Sequence, residues 1–246
     1  MRPSELFHLF GDLNNLSGIG PKTVINLKNL SIEKPRDFLF NLPFSVLDRL
    51  PVSSIRGVPA SKIVTVEVLV KAHKIGRSRA SAHRVTVQDT EVSFQLVFFN
   101  ARKEYLENLF PVGERRIISG KLEFYDNIPQ IVHPHHVKKI NEEKAIVRFE
   151  PVYPLTSGVS QKLMFGTINA LLEKLPKLGE WIDHELLKIK GWPSWQDALK
   201  SAHCPVSADG ASNTNPARLR LAFDELFSHQ LSLSIARNKI KRSKGR

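Results

Sequence analysis

The tripeptide Phe98-Phe99-Asn100, followed by Arg102 and Lys103, holds the residue types closest to a chemistry. Val92, Phe94, Leu96 and Phe98 alternate and share the buried face of a strand, which puts Phe99 on the solvated face of Ser93 and Gln95. An aromatic ring exposed beside cations needs an explanation. Stacking against an unpaired base, worth about 1–3 kcal/mol, supplies one. Arg102 and Lys103 stand where a helix begins. Cations there oppose the helix dipole, and a nearby phosphate would relieve them. The pattern also allows both rings simply to close the end of a β-barrel.

Two further stretches suit phosphate. Leu16-Ser17-Gly18-Ile19-Gly20-Pro21-Lys22 opens a helix, with two glycines permitting a tight turn, Pro21 in the first helical turn and Lys22 beside the free backbone N–H groups. This is the pattern of a helix-hairpin-helix backbone contact through Gly18, Gly20 and Lys22, and it is equally a good helix start. Lys71 to Arg84 carries Lys71, Lys74, Arg77, Arg79 and Arg84 with His73 and His83 and no acid, and reads as a basic hairpin tip. Phosphate contacts are expected from Arg77, Arg79, Arg84, Asn100, Arg102, Lys103 and Lys121.

Other constellations read as structural. His133-Pro134-His135-His136 invites a metal, but no acidic or thiol partner is apparent nearby, so the histidines are expected to be polar strand surface. The single cysteine, Cys204, excludes an internal disulfide and any site built on two thiolates. Asp224-Glu225 lies in a helical stretch with Leu221, Leu226, Phe227, Leu231 and Leu233, where it reads as helix surface. There is no Ser/His/Asp set, no metal triad and no Gly-x-x-x-x-Gly-Lys-[Ser/Thr] loop. No metal or cofactor is expected to bind this chain.

The elements that must position these residues follow from periodicity. Of 246 residues, 41% are hydrophobic and 24% charged, an ordinary globular balance. Val64, Val66, Val68 and Val70 share one face, giving a half-buried strand. Ala82–Gln88 and Glu91–Phe99 form a strand pair turning at Asp89-Thr90. Arg102–Phe110 is a helix with Tyr105, Leu106, Leu109 and Phe110 on its apolar stripe, and it is stopped by Pro111-Val112-Gly113. Strands Arg115–Tyr125 and Pro129–Val137 complete the segment. Three strands, a helix and two strands is the order of the OB-fold, a small barrel that commonly binds oligonucleotides. A generic five-stranded α+β domain is the alternative. The fold class expected is α+β, with helical segments over 1–60 and 141–246 flanking a barrel over 61–140. The basic tail Arg237–Arg246 is expected to fray.

Lys+Arg is 36 against Asp+Glu 24, a net charge of +12. This favours a polyanionic partner whose counterions are released on binding. No apolar run is long enough to span a membrane, and the start Met1-Arg2-Pro3-Ser4-Glu5 leads into no signal-peptide core. A cytoplasmic, nucleoid-associated monomer is expected. From the residues alone the chain reads as a nucleic-acid-binding module.

Several ordered stretches resemble the N-terminal part of RecG, a family of bacterial ATP-dependent DNA helicases that remodel stalled replication forks and recombination junctions. They are Leu16-Ser17-Gly18-Ile19-Gly20-Pro21-Lys22, Leu42-Pro43 with Asp48-Arg49, Phe98-Phe99-Asn100, Ile131-Val132-His133-Pro134, Pro151-Val152-Tyr153-Pro154-Leu155-Thr156 with Ser160-Gln161-Lys162, and Arg220-Leu221-Ala222-Phe223-Asp224-Glu225-Leu226. The resemblance implies that the barrel is a wedge at a DNA branch point, that Phe98 and Phe99 cap the parting strands, and that basic loops hold the arms. It implies branched DNA and a helicase motor domain as partners, with ATP and Mg²⁺ serving that motor. Phe44-Ser45-Val46-Leu47 departs from the basic and aromatic residues often found there in the family. The motor's ATP-binding motifs are not in this sequence, so the chain alone is expected to be inactive as an ATPase. A stand-alone OB-fold that binds single strands is the alternative.

Overall fold

The computed structural model describes residues 4–76 and 81–243. The elements are α1 (Pro21–Leu27), α2 (Pro35–Phe40), β1 (Ser45–Val52), β2 (Ile63–Lys74), β3 (His83–Gln88), β4 (Ser93–Phe98), α3 (Lys103–Leu109), β5 (Arg115–Tyr125), β6 (Ile128–Val132), β7 (His136–Lys138), β8 (Phe149–Val152), α4 (Gln161–Glu173), α5 (His184–Lys190), α6 (Trp195–His203) and α7 (Pro216–Ser243), with short 3-10 turns between. They form two compact units. Leu47–Glu150 is one, and Met1–Val46 with Pro151–Arg246 is the other, so the chain passes between them twice.

In the first unit β2, β3, β4, β6 and β5 pair in that order, and β5 pairs back onto β2. In barrel numbering this is 1-2-3-5-4-1, a closed five-stranded OB barrel. The valines at 64, 66, 68 and 70 are all 1% exposed or less, and with Val85, Val87, Phe94, Leu96, Leu122 and Ile131 they fill the barrel. β1 lies parallel to β2, with Arg49 opposite Ile63 and Val52 opposite Val66. This strand lies in the stretch 1–60 that the sequence pattern assigns to helices, because Asp48, Arg49 and Pro51 hide its alternation.

The turn between β3 and β4 is built on Asp89. Its buried carboxylate accepts backbone N–H bonds from Ile55 (2.8 Å), Glu91 (2.7 Å) and Val92 (2.8 Å). Burial alone would raise its pKa, but these donors outweigh burial and hold the carboxyl below the usual range.

α3 closes one end of the barrel with Leu106 and Phe110, which are at most 1% exposed. Its last carbonyls accept from outside the helix. Arg116 Nε donates to the Leu109 carbonyl at 2.9 Å, and His73 Nε2 donates to the Phe110 carbonyl at 2.7 Å. The expected strand Pro129–Val137 is two strands, because His133 takes φ +44° and turns the chain between β6 and β7.

The other unit gathers residues from both ends of the sequence around Leu27, Phe38, Leu39, Tyr153, Met164, Ile168, Leu199 and Leu221. Two buried polar groups are satisfied inside it. His203, 0% exposed, donates from Nε2 to the Leu39 carbonyl at 2.9 Å and accepts the Tyr153 hydroxyl at Nδ1, 3.0 Å away. Arg220, also 0% exposed, grips both Glu180 oxygens at 2.8 and 3.0 Å and Asp224 at 2.9 Å. Asp224 additionally accepts the Trp181 indole N–H at 2.9 Å, so it anchors α7 rather than decorating its surface. From Glu225 to Ile240 every residue of α7 is exposed. The tail expected to fray is helical to Ser243.

Candidate nucleic-acid interface

β4 carries its inward alternation to Phe98, which is 7% exposed and packs on Phe110 with ring centroids 5.6 Å apart. Phe99, the next residue, is 49% exposed. Asn100 then takes φ +54°, a left-handed conformation that asparagine tolerates, and turns the chain away from the strand. The paired stacking role expected of Phe98 and Phe99 therefore has one exposed ring. Phe98 belongs to the core.

The Phe99 ring is held from the other side by the turn after β6. Its backbone N–H donates to His133 Nε2 at 3.1 Å, and the two rings lie 5.9 Å apart. The His133 N–H donates to the Val97 carbonyl at 2.9 Å. His133 also meets Phe98 edge-on at 5.8 Å. Two left-handed residues, Asn100 and His133, thus line the hollow beside the ring.

Phe99 opens onto a hollow of about 730 Å³ whose polar and aromatic lining includes Asn100, Arg102, Tyr105, His133 and His135. Tyr105 is 60% exposed. Helical periodicity puts it on the apolar stripe of α3, but Leu106 and Phe110 complete the buried stripe and Tyr105, one residue earlier, is exposed. A tyrosine whose hydroxyl needs water was the available signal. Arg102, the N-cap of α3, is exposed and has no acidic partner among the described residues. A second hollow, on which His83 borders, shares Asn100 and Arg102.

The floor behind His135 is polar. Arg49, 3% exposed, places Nη1 3.1 Å from His135 Nδ1 and 3.1 Å from Ser119 Oγ, and it pairs with Glu150. His136 Nε2 lies 3.4 Å from Glu150. Glu150 is the acidic neighbour that sequence proximity did not reveal, and a guanidinium sits between it and His135. Burial, then the Arg49 charge, lower the His135 pKa. Burial opposes ionisation of Glu150, yet His136 and Arg49 hold its carboxyl below the usual range.

The remaining expected contacts are dispersed. Arg84 is half-buried on β3, opposite Val97. Lys103 faces Glu107 at 3.8 Å and Lys121 faces Glu123 at 3.3 Å, so both are partly neutralised. Neither lines the hollow. Arg77 and Arg79 lie outside the described residues. Gly18, Gly20 and Lys22 belong to the other unit. Gly18 takes φ +78°, Gly20 caps α1 ahead of Pro21, and Lys22 is exposed. No described helix is long and apolar enough to cross a membrane.

Comparison with known proteins agrees with this architecture. Residues 12–174 match the profile of the RecG wedge domain. The chain is similar to the ATP-dependent DNA helicase RecG of Haemophilus influenzae, with 28% identity over 235 residues, covering 92% of this chain and 33% of the relative. It is also similar to the RecG helicase of Aquifex aeolicus, with 25% identity over 256 residues, covering 99% of this chain and 32% of the relative. A solved structure of RecG bound to a three-way DNA junction superposes with a TM-score of 0.72 at 26% identity, covering 94% of this chain and 32% of that one. The chain spans about a third of the length of these relatives. With the barrel order, the aromatic corner after β4 and the matched profile in agreement, the chain belongs to the RecG wedge domain family.

Proposed function

We propose that this chain is the branch-holding module of a RecG-type ATP-dependent DNA helicase, acting in the cytoplasm on stalled forks and recombination junctions during repair and recombination. One observation carries the reading: a half-exposed Phe99, fixed by its own backbone hydrogen bond to His133, opens onto a hollow shared with Tyr105 and with Arg102, a cation that has no acidic partner among the described residues. A ring held rigidly at a barrel corner caps the last base pair of a duplex, and Tyr105 offers a second face to the departing strand. Arg102 and Arg84 meet phosphates, which positions the arms without reading sequence. Gly18 and Lys22, both exposed, offer a further non-specific phosphate contact. The solved RecG relative bound to a three-way junction supports this choice of ligand.

In such a protein ATP and Mg²⁺ serve the helicase motor. These 246 residues contain no Walker-type phosphate loop, so ATP turnover is assigned to that motor and not to this chain. The purified chain is expected to bind a three-armed fork more tightly than a linear duplex of equal length in a competition assay. Equal affinity for both would reject the reading. Preference for an unpaired oligonucleotide over both would favour a stand-alone single-strand binder instead.

A further inference from the structure

Two histidines that line the Phe99 hollow have their protons placed by what they touch. A guanidinium carries N–H donors and no acceptor. Arg49 Nη1 lies 3.1 Å from His135 Nδ1, so that nitrogen accepts and the His135 proton sits on Nε2. A backbone N–H likewise only donates. Phe99 gives its N–H to His133 Nε2 at 3.1 Å, so the His133 proton sits on Nδ1. The rings are opposite tautomers, each with its acceptor nitrogen occupied and one N–H left to give. Neither remaining N–H has a hydrogen-bond partner among the described residues. Burial and then the Arg49 charge lower the His135 pKa, which keeps this ring neutral at neutral pH.

The segment that carries them is firmly seated. His133 takes φ +44°, and Pro134 stiffens the backbone between the two rings. The turn lies against Gly120 of β5, where any side chain would collide with Ile131 and crowd the Pro134 backbone. Arg49, 3% exposed, is itself fixed by Ser119 Oγ at 3.1 Å and by its pair with Glu150. Thr65 donates to the same Ser119 oxygen at 3.0 Å. The His135 ring cannot turn over without taking an acceptor away from the buried guanidinium.

What such a pair recognises follows from its one-sidedness. With both acceptor nitrogens occupied it offers donors alone. Base edges mix donors with acceptors, whereas phosphate oxygens only accept. Arg102 lines the same hollow and supplies the positive charge that the neutral rings lack. We propose that His133 and His135 form a neutral donor pair that holds one backbone phosphate of the strand leaving the base capped by Phe99. This rests on the branch-holding reading, because Phe99 sets which phosphate comes within reach. A neutral donor leaves the phosphate charge in place and releases no counterion, so the pair adds affinity that salt does not erode.

The test reads binding of the full chain to a fork by fluorescence anisotropy over a range of salt. His135→Ala is expected to weaken the fork about tenfold and to keep the salt slope of wild type. His135→Gln, whose amide accepts from Arg49 and donates outward, is expected to recover most of that loss. Uncharged methylphosphonates are then placed one at a time at the linkages nearest the branch point. At one linkage the replacement should cost wild type more than it costs His135→Ala. A salt slope lowered by about one in His135→Ala, or no linkage coupled to His135, would overturn the pair. The wild-type chain gives an independent check that needs no variant. Side-chain proton–nitrogen correlation spectra should show His135 protonated on Nε2 and His133 on Nδ1, and the reverse assignment for His135 would also overturn it. If Phe99→Ala binds the fork as wild type does, the branch-holding reading itself fails. If Phe99→Ala weakens the fork while no linkage couples to His135, that reading stands and only the phosphate pair falls.

Discussion

Phe99 and Phe98 differ by one position and by nearly everything else. The first is half exposed and the second is core. Phe98→Ala would open a cavity against Phe110 and is expected to cost about 3–5 kcal/mol of barrel stability in denaturant titration. Phe99→Ala is expected to leave that stability within about 1 kcal/mol. Its loss should appear in binding alone. A fall in stability equal to that of Phe98→Ala would show that Phe99 is a packing residue.

Alternation in the sequence separated these two rings correctly, whereas the resemblance assigned both to stacking. Tyr105 and His133 were not legible as neighbours of Phe99, because they arrive from a helix and from a turn between two strands. Histidine, like asparagine and aspartate, visits the left-handed backbone more often than most residues, but that preference is too weak to mark the turn at His133 in the sequence.

At the scale of elements, the barrel was the most legible part. Valine at every second position fixes which face of β2 is buried, and one helix between the third and fourth barrel strands fixes the topology. The strand β1 was hidden by its charged residues, which serve a purpose that sequence order conceals. Arg49 reaches Ser119, His135 and Glu150, far away in the chain.

The β3–β4 turn depends on Asp89. Asp89→Ala would leave three backbone N–H groups short of an acceptor and is expected to lower barrel stability by about 2–3 kcal/mol, read as a shift in the urea midpoint. No shift would mean that solvent replaces the carboxylate. α7 divides differently. Its first two turns are tied down by Arg220, while Glu225 to Ile240 is solvent-facing throughout. Amide exchange in Ala217–Phe223 is therefore expected to be slow and that in Ser228–Ile240 fast. Uniform protection along the helix would show that its second half is covered.

For the whole molecule, the sequence order did not reveal that the first and last segments build one core, since those contacts join residues far apart, such as Leu39 and His203. That core carries an acid sensitivity. Burial lowers the His203 pKa from 6.5 to about 4. A base whose folded pKa is depressed stabilises the fold fully above its unfolded pKa, and that contribution is lost as pH falls from about 6.5 toward 4, on the order of 3 kcal/mol in all. His203→Gln should flatten stability over this window. An equally steep acid loss in the variant would place the sensitivity elsewhere.

The net charge of +12 makes binding salt-dependent as a whole. Arg102→Ala is expected to reduce the slope of log affinity against log salt by about one. The most direct test of the account places 2-aminopurine at the last base pair before the branch point of a fork and follows its fluorescence as the chain binds. Quenching by wild type that is lost in Phe99→Ala and retained in Lys121→Ala is the expected result. Equal quenching by wild type and Phe99→Ala, or none by wild type at saturation, would contradict a ring capping the junction.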